Sequence, residues 1–180
     1  MVPIFASFRA LVLAVALLFC AQWSSAQFQS ATIVVDGLTC SMCSYGVERS
    51  LRKLEFVDDV QMDLNSNTAQ VSFRTDREVM ITALAKKVTD AGFSVRSLQA
   101  TASIEHHSIP GDIDYLIGHS VCHFLESVDV PEGQLVMTFI GKEFMDKRAW
   151  KKWRAQLADQ KGSLQSTAFL EAREYCFVTL

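Results

Sequence analysis

Two cysteines, Cys40 and Cys43, stand in the run Gly37-Leu38-Thr39-Cys40-Ser41-Met42-Cys43. Their thiolates are soft donors that suit Cu(I), Zn(II), Hg(II) or Cd(II), whereas magnesium and calcium take hard oxygen ligands. A Cys-x-x-Cys pair on its own also serves as a thioredoxin-type redox couple, as half of a four-ligand zinc site or as a small structural loop. The residues around the pair therefore decide which chemistry it can do.

A β-branched run, Thr32-Ile33-Val34-Val35, precedes the pair, and Val47, Leu51 and Leu54 follow it at helical spacing with charges between them. The cysteines thus fall on a strand-to-helix loop and its first helical turn. Unsatisfied N–H groups and the positive end of the helix dipole favour thiolate over thiol there and lower the pKa. Next, Val60-Gln61-Met62-Asp63-Leu64 and Ala69-Gln70-Val71-Ser72-Phe73 alternate apolar and polar residues on either side of Asn65-Ser66-Asn67, which reads as a β-hairpin. Asp76 is expected to cap a second helix carrying Ile81, Leu84, Ala85 and Val88 and ended by Gly92, after which Phe93 and Val95 begin a last strand. The order is βαββαβ over about 70 residues, a ferredoxin-like α+β arrangement.

On this motif and this order of elements, residues 31–98 resemble the heavy-metal-associated domain family of copper chaperones, periplasmic mercury-binding proteins and the N-terminal modules of metal-exporting P-type ATPases. The family's Gly-Met-Thr-Cys-x-x-Cys stands here with Leu38 in place of Met, a volume-conserving apolar exchange. The resemblance implies that Cys40 and Cys43 are the metal ligands. It implies Cu(I) first, with Hg(II) or Zn(II) as other ions, and a metal-exporting ATPase or another metal donor or acceptor as partner. Bacterial copper-binding relatives often carry Tyr, and eukaryotic ones Lys, on the loop opposite the metal. This chain has Phe93 there, which cannot donate a hydrogen bond to a thiolate.

The other readings of the pair lack their usual companions. A thioredoxin fold sets a cis-proline against its Cys-x-x-Cys, and residues 27–100 contain no proline. A structural zinc site needs further His or Cys ligands, and the same segment has none.

Arg9 precedes the apolar run Leu11-Val12-Leu13-Ala14-Val15-Ala16-Leu17-Leu18-Phe19, which is too short to span a bilayer, and Ser24-Ser25-Ala26 then offers small residues before Gln27. Residues 1–26 are therefore expected to be a cleaved secretory signal peptide, leaving 154 residues in the periplasm or outside the cell. Bulky Phe19 argues against lipid attachment at Cys20. With Arg9 gone, 16 basic against 20 acidic side chains leave a net charge of −4. This acidic balance argues against nucleic acid as the partner, and no membrane-length apolar stretch remains after cleavage.

Residues 27–100 are expected to form the heavy-metal-associated domain and residues 101–180 a small mixed α/β C-terminal domain of no recognised family. In the latter, Leu135-Val136-Met137-Thr138-Phe139-Ile140 reads as a buried strand. Asp146 can cap a helix with Trp150, Trp153 and Leu157 on one face and Lys147, Arg148, Lys151, Lys152 and Arg154 around it, Gly162 ends it, and Glu174-Tyr175-Cys176-Phe177-Val178-Thr179-Leu180 closes the chain as a strand. All four histidines fall in this half, as His106, His107, His119 and His123. If residues 119–123 were helical, His119, Cys122 and His123 would share a face and could form a second soft-metal site. If they form a strand, Cys122 points away from both histidines. A disulfide between Cys122 and Cys176 is the simpler expectation for an exported chain.

Together these readings describe an exported metal-binding protein, not an enzyme, that captures a soft ion and hands it on by thiolate exchange. A thiol–disulfide redox protein using the same Cys-x-x-Cys is the reading from a different class.

Overall fold

The computed structural model describes residues 26–105, 108–130, 133–160 and 174–179. Residues 1–25 of the expected leader, His106, His107 and Gly162 lie outside the described residues. The first half runs β1 (Gln27–Asp36), α1 (Ser41–Leu51), β2 (Val57–Asp63), β3 (Thr68–Phe73), α2 (Ile81–Asp90) and β4 (Ser94–Ser103). Its strands lie in the order β2-β3-β1-β4 with every neighbouring pair antiparallel. Alternation along β1 sends Ala31, Ile33 and Val35 to the buried face, where they meet Val47 and Leu51 of α1 and Leu84, Ala85 and Val88 of α2 in one apolar core. This is the βαββαβ arrangement that the sequence pattern predicts.

The second helix starts later than expected. Its N-cap is Met80, not Asp76, because the chain turns at residues 75–76, runs on irregularly to Met80, and fully buried Ile81 anchors the first helical turn to the core. Asp76 instead lies 3.7 Å from the Arg77 guanidinium. Gly92, at φ +91°, follows the helix in the left-handed conformation that stops it, as expected.

The second half contributes β5 (Ser108–Ile109), β6 (Ile113–Ile117), β7 (Ser120–Phe124), β8 (Val128–Asp129), β9 (Gln134–Ile140), α3 (Lys147–Gln160) and β10 (Glu174–Thr179). Strand β9 pairs antiparallel with the free edge of β4, so the sheet continues as β4-β9-β10-β7-β6 and reaches eight strands. The boundary expected at 100/101 therefore falls inside β4. Across the seam Ala100 faces Met137 and Ala102 faces Leu135, and all four are buried in the core that also holds α1 and α2. The sheet curls until the β6–β7 turn meets the start of β1. There the Gly118 N–H donates to the Ala26 carbonyl at 2.9 Å, and His119 Nε2 lies 3.4 Å from Glu78 Oε1.

Helix α3 lies on the opposite face from α1 and α2. Trp150, Trp153 and Leu157 pack on Ile140, Leu125 and Phe177, whose neighbours in sequence point into the main core. The Asp146 carboxylate accepts the Arg148 and Ala149 amides at 2.7 and 3.0 Å, the cap expected from sequence, and these amides hold its pKa below the ordinary carboxylate range.

Phe139 joins the halves, with ring centroids 6.0 Å from Phe28 of β1 and 5.5 Å from Phe144. We predict that Phe139→Ala costs about 3–5 kcal/mol. In urea, the tryptophan fluorescence and the far-ultraviolet circular dichroism should move together to lower denaturant, because both halves lose the same contact. Two separated transitions, with only the later residues affected, would show that the halves fold apart.

Candidate metal centre

Strand β1 ends at Asp36, and the chain turns through Gly37 at φ +90°, a backbone geometry that a residue with a Cβ rarely adopts. Buried Leu38 then seats the loop on the core, as its apolar character predicts. Cys40 takes the N-cap position in extended conformation (φ −154°, ψ 162°), and its carbonyl accepts the Cys43 and Ser44 amides at 3.1 and 3.2 Å. Cys40 is exposed and Cys43 half-buried against the core, with their Sγ atoms 2.9 Å apart. The structure thus brings together the two residues that the motif singles out.

The hydrogen bond with the Cys43 thiol holds the Cys40 pKa below its usual range. The Cys43 and Met42 amides at the helix start act in the same direction, against a partial desolvation. Cys40 is consequently the readier thiolate. At 2.9 Å the sulfurs are too close for an ion between them in linear coordination, where two bonds of about 2.3 Å would set them about 4.6 Å apart. The exposed Cys40 side chain must rotate outward to admit one. Loading is therefore a local motion of the loop.

Phe93 lies on the facing loop as expected. Its Cδ1 is 3.6 Å from where a Cβ on Gly37 would sit, so the ring walls the loop with hydrocarbon and offers no polar group. Two features were not visible in the sequence pattern. Met42 and Tyr45 are 73% and 56% exposed beside the thiols, which a helical stripe does not report. Arg96 is the extra residue in β4 where Val34 pairs with Ser97 and Val35 with Val95. This bulge frees its guanidinium to bond Asp36 at 2.6 Å through Nε, and its carbonyl accepts the Asp146 amide at 3.3 Å. The loop stem and the start of α3 are thereby tied to one residue.

The residues considered for a second site do not converge. The segment is strand β7, so Cys122 and His123 point to opposite faces, and His119 sits on the turn before it. His123 is buried, with Nδ1 2.8 Å from Asp114 and Nε2 3.4 Å from Asp112, and its ring meets Phe177 edge to face. Among the described residues no group of three His, Cys, Asp or Glu side chains is placed to hold a metal ion. Cys122 and Cys176, the pair expected to form a disulfide, are buried register partners on the parallel strands β7 and β10.

Burial and electrostatics together set the reactivity of the cysteines. In the reduced native protein iodoacetamide should label Cys40 first and Cys43 next, while buried Cys122 and Cys176 react only on unfolding. Because a lowered pKa preserves thiolate as pH falls, Cys40 labelling should persist to lower pH than that of an ordinary thiol. Peptide mapping across a pH series checks both statements, and early labelling of Cys122 would contradict them.

Residues 32–94 match the model of the heavy-metal-associated domain. The mercuric transport protein periplasmic component of Serratia marcescens is 32% identical over 81 residues, covering 45% of this chain and 86% of the relative. A probable copper-exporting P-type ATPase of Archaeoglobus fulgidus is 32% identical over 79 residues, 43% of this chain, but the match spans only 10% of that protein. Among solved structures, oxidised MerP from Ralstonia metallidurans CH34 is 33% identical, with 38% of this chain and 96% of that one covered at a TM-score of 0.34. Through this first half, the chain belongs to the heavy-metal-associated domain family.

Proposed function

We propose that this protein carries a soft metal ion, Cu(I) foremost, between Cys40 and Cys43 and passes it to a metal-exporting ATPase or another donor or acceptor. The observation that supports this most is the thiol pair itself: two sulfurs 2.9 Å apart at an exposed helix start, with no third ligand assembled around them among the described residues. Two thiolates leave a soft ion under-coordinated. An incoming thiolate or thioether adds before either bond to the carrier breaks, so the ion moves without being released to water. No bond of a substrate is made or broken in that exchange, and the protein acts as a carrier, not an enzyme.

Hg(II) is the second reading, because linear two-thiolate coordination suits it equally and the mercuric relative is matched over most of its length. Zn(II) fits less well, since it prefers four ligands. The redox alternative uses the same sulfurs, which would close to a disulfide when an exported oxidant removes two electrons and two protons. Carriage outside the cytoplasm, in the periplasm or beyond, follows from the leader-like residues before Gln27. Among the described residues no helix is long and apolar enough to cross a membrane.

The reduced protein should bind one Cu(I) or Hg(II) per chain, and Cys40→Ser or Cys43→Ser should nearly abolish binding. Competition with a chromophoric chelator measures it, and equally tight binding by the double Ser variant would remove the site from consideration. Phe93→Tyr should leave the fold intact and shift affinity by no more than the ~1 kcal/mol of one hydrogen bond. A much larger change would mean that the facing loop controls the ion electrostatically.

A further inference from the structure

Helix α3 concentrates positive charge in a chain whose formal net charge is −3. Lys147, Arg148, Lys151, Lys152 and Arg154 are all exposed, with Arg148, Lys151 and Lys152 on the side of the helix away from Trp150, Trp153 and Leu157 and the other two flanking that stripe. None of these five lies within ion-pair distance of a carboxylate among the described residues, and the capping Asp146 carboxylate feels the charge of Arg148. Four cations of the first half are held in ion pairs. Arg52 pairs with Glu48 and Asp59, Arg77 with Asp76 and Glu55, Lys86 with Asp90, and Arg96 with Asp36. Among the described residues, five cations without an ion pair are thus gathered along one helix.

That face begins at the same end of the sheet as the thiols. The Asp146 amide bonds the Arg96 carbonyl, Arg96 pairs with Asp36, and Asp36 directly precedes the loop that carries Cys40. An interface of ordinary size, about 800 Å² per partner and so roughly 30 Å across, covers both. Resting on the carrier function proposed above, we infer that the cationic face of α3 is the docking surface for an acidic protein that exchanges soft metal with Cys40 and Cys43. Charge complementarity would orient such a partner on the loop and speed its arrival. A lipid surface fits less well. Membrane-lying helices insert their apolar side, and here that side is already packed on Ile140, Leu125 and Phe177.

Two reagents that attack thiolates read the field at the site without any metal. Dithiobis(nitrobenzoate) carries two negative charges and dithiodipyridine none, and buried Cys122 and Cys176 leave Cys40 and Cys43 as the fast targets. At about 0.01 M ionic strength, the combined variant Lys147→Glu, Arg148→Glu and Lys151→Glu should slow the anionic reagent about fivefold relative to the neutral one. The difference should vanish near 1 M salt, where the Debye length is about 3 Å. The matching Gln variant should give about half the effect, which separates charge from misfolding. An unchanged rate ratio would overturn the proposal. Poly-L-glutamate should bind the parent protein in a salt-sensitive way and the Glu variant far more weakly. Binding to vesicles of one part phosphatidylglycerol to three of phosphatidylcholine, with the same dependence on these residues and at least the same strength, would replace the protein partner by a membrane and also overturn it. Since neither arm uses metal, a failure of the carrier reading appears separately, as loss of Cu(I) binding in a protein whose rate ratio still responds to α3.

Discussion

Strand β4 is hydrogen-bonded on both edges, to β1 along its length and to β9 over Gln99–Ser103. Everything that positions the metal loop passes through this strand. Its pairing with β1 fixes where Asp36 ends and the loop begins, and its pairing with β9 brings the second half onto an edge that would otherwise expose a ladder of unpaired backbone groups. The ladder yields twice, at Gln29 in β1 and at Arg96 in β4, and the second lies beside the loop. There the strand gives up regular pairing, and a single arginine reaches the loop stem with its side chain and the start of α3 with its carbonyl. Small side chains allow the double pairing to be buried. Ala100 and Ala102 leave room for Met137 and Leu135 across the seam, where two bulky residues in contact would force the strands out of register.

At the thiols, stability and function pull in opposite directions. Two sulfurs at 2.9 Å tolerate at most one negative charge between them, since a second thiolate would face the first across a distance at which like charges repel strongly. The lowered pKa of Cys40 is consistent with one thiolate held by one thiol. A cation relieves the repulsion that comes with the second ionisation, and binding therefore releases a proton. The loop cannot be made rigid without hindering this, because the sulfurs must part to take the ion. Anchoring by Leu38, Gly37 and Phe93 stops short of the cysteines, and Cys40 remains in water.

The first half was legible because its signals are local. Alternation in residues 31–35 and 69–73, helical spacing in 81–88 and the Cys-x-x-Cys between strand and helix each report on neighbours in sequence. The start of α2 was misplaced because a capping preference worth about 1 kcal/mol at Asp76 gave way to the burial of Ile81, which is worth more. Strand β2 begins at Val57, earlier than its alternation suggested, since the acidic pair Asp58-Asp59 hides a bulge. In the second half only β9, α3 with its Asp146 cap, and β10 could be read. The two-residue β5 and β8 are too short for any period to show and pair only with each other, and β6 has no alternation in its burial. Whether Cys122 joined the histidines depended on helix against strand in five residues, a choice made by pairing with β6 and β10 and not by the segment itself.

That pairing also explains why the second half looks chemically rich in sequence and is structural where it can be described. Strand β7 lies between two neighbours and is buried on both faces, so a histidine there must find hydrogen-bond partners or be excluded. His123 meets this demand through Asp114 on β6 and Asp112 at the strand's start, which also latch the edge strand β6 to the sheet. Cys122 behaves as a small hydrophobe in the core, opposite Cys176. Polar and sulfur-bearing residues that could have bound metal are thus committed to holding strands together. The second half faces the solvent with charge instead, and that charge begins beside the arginine on which the metal loop's stem depends.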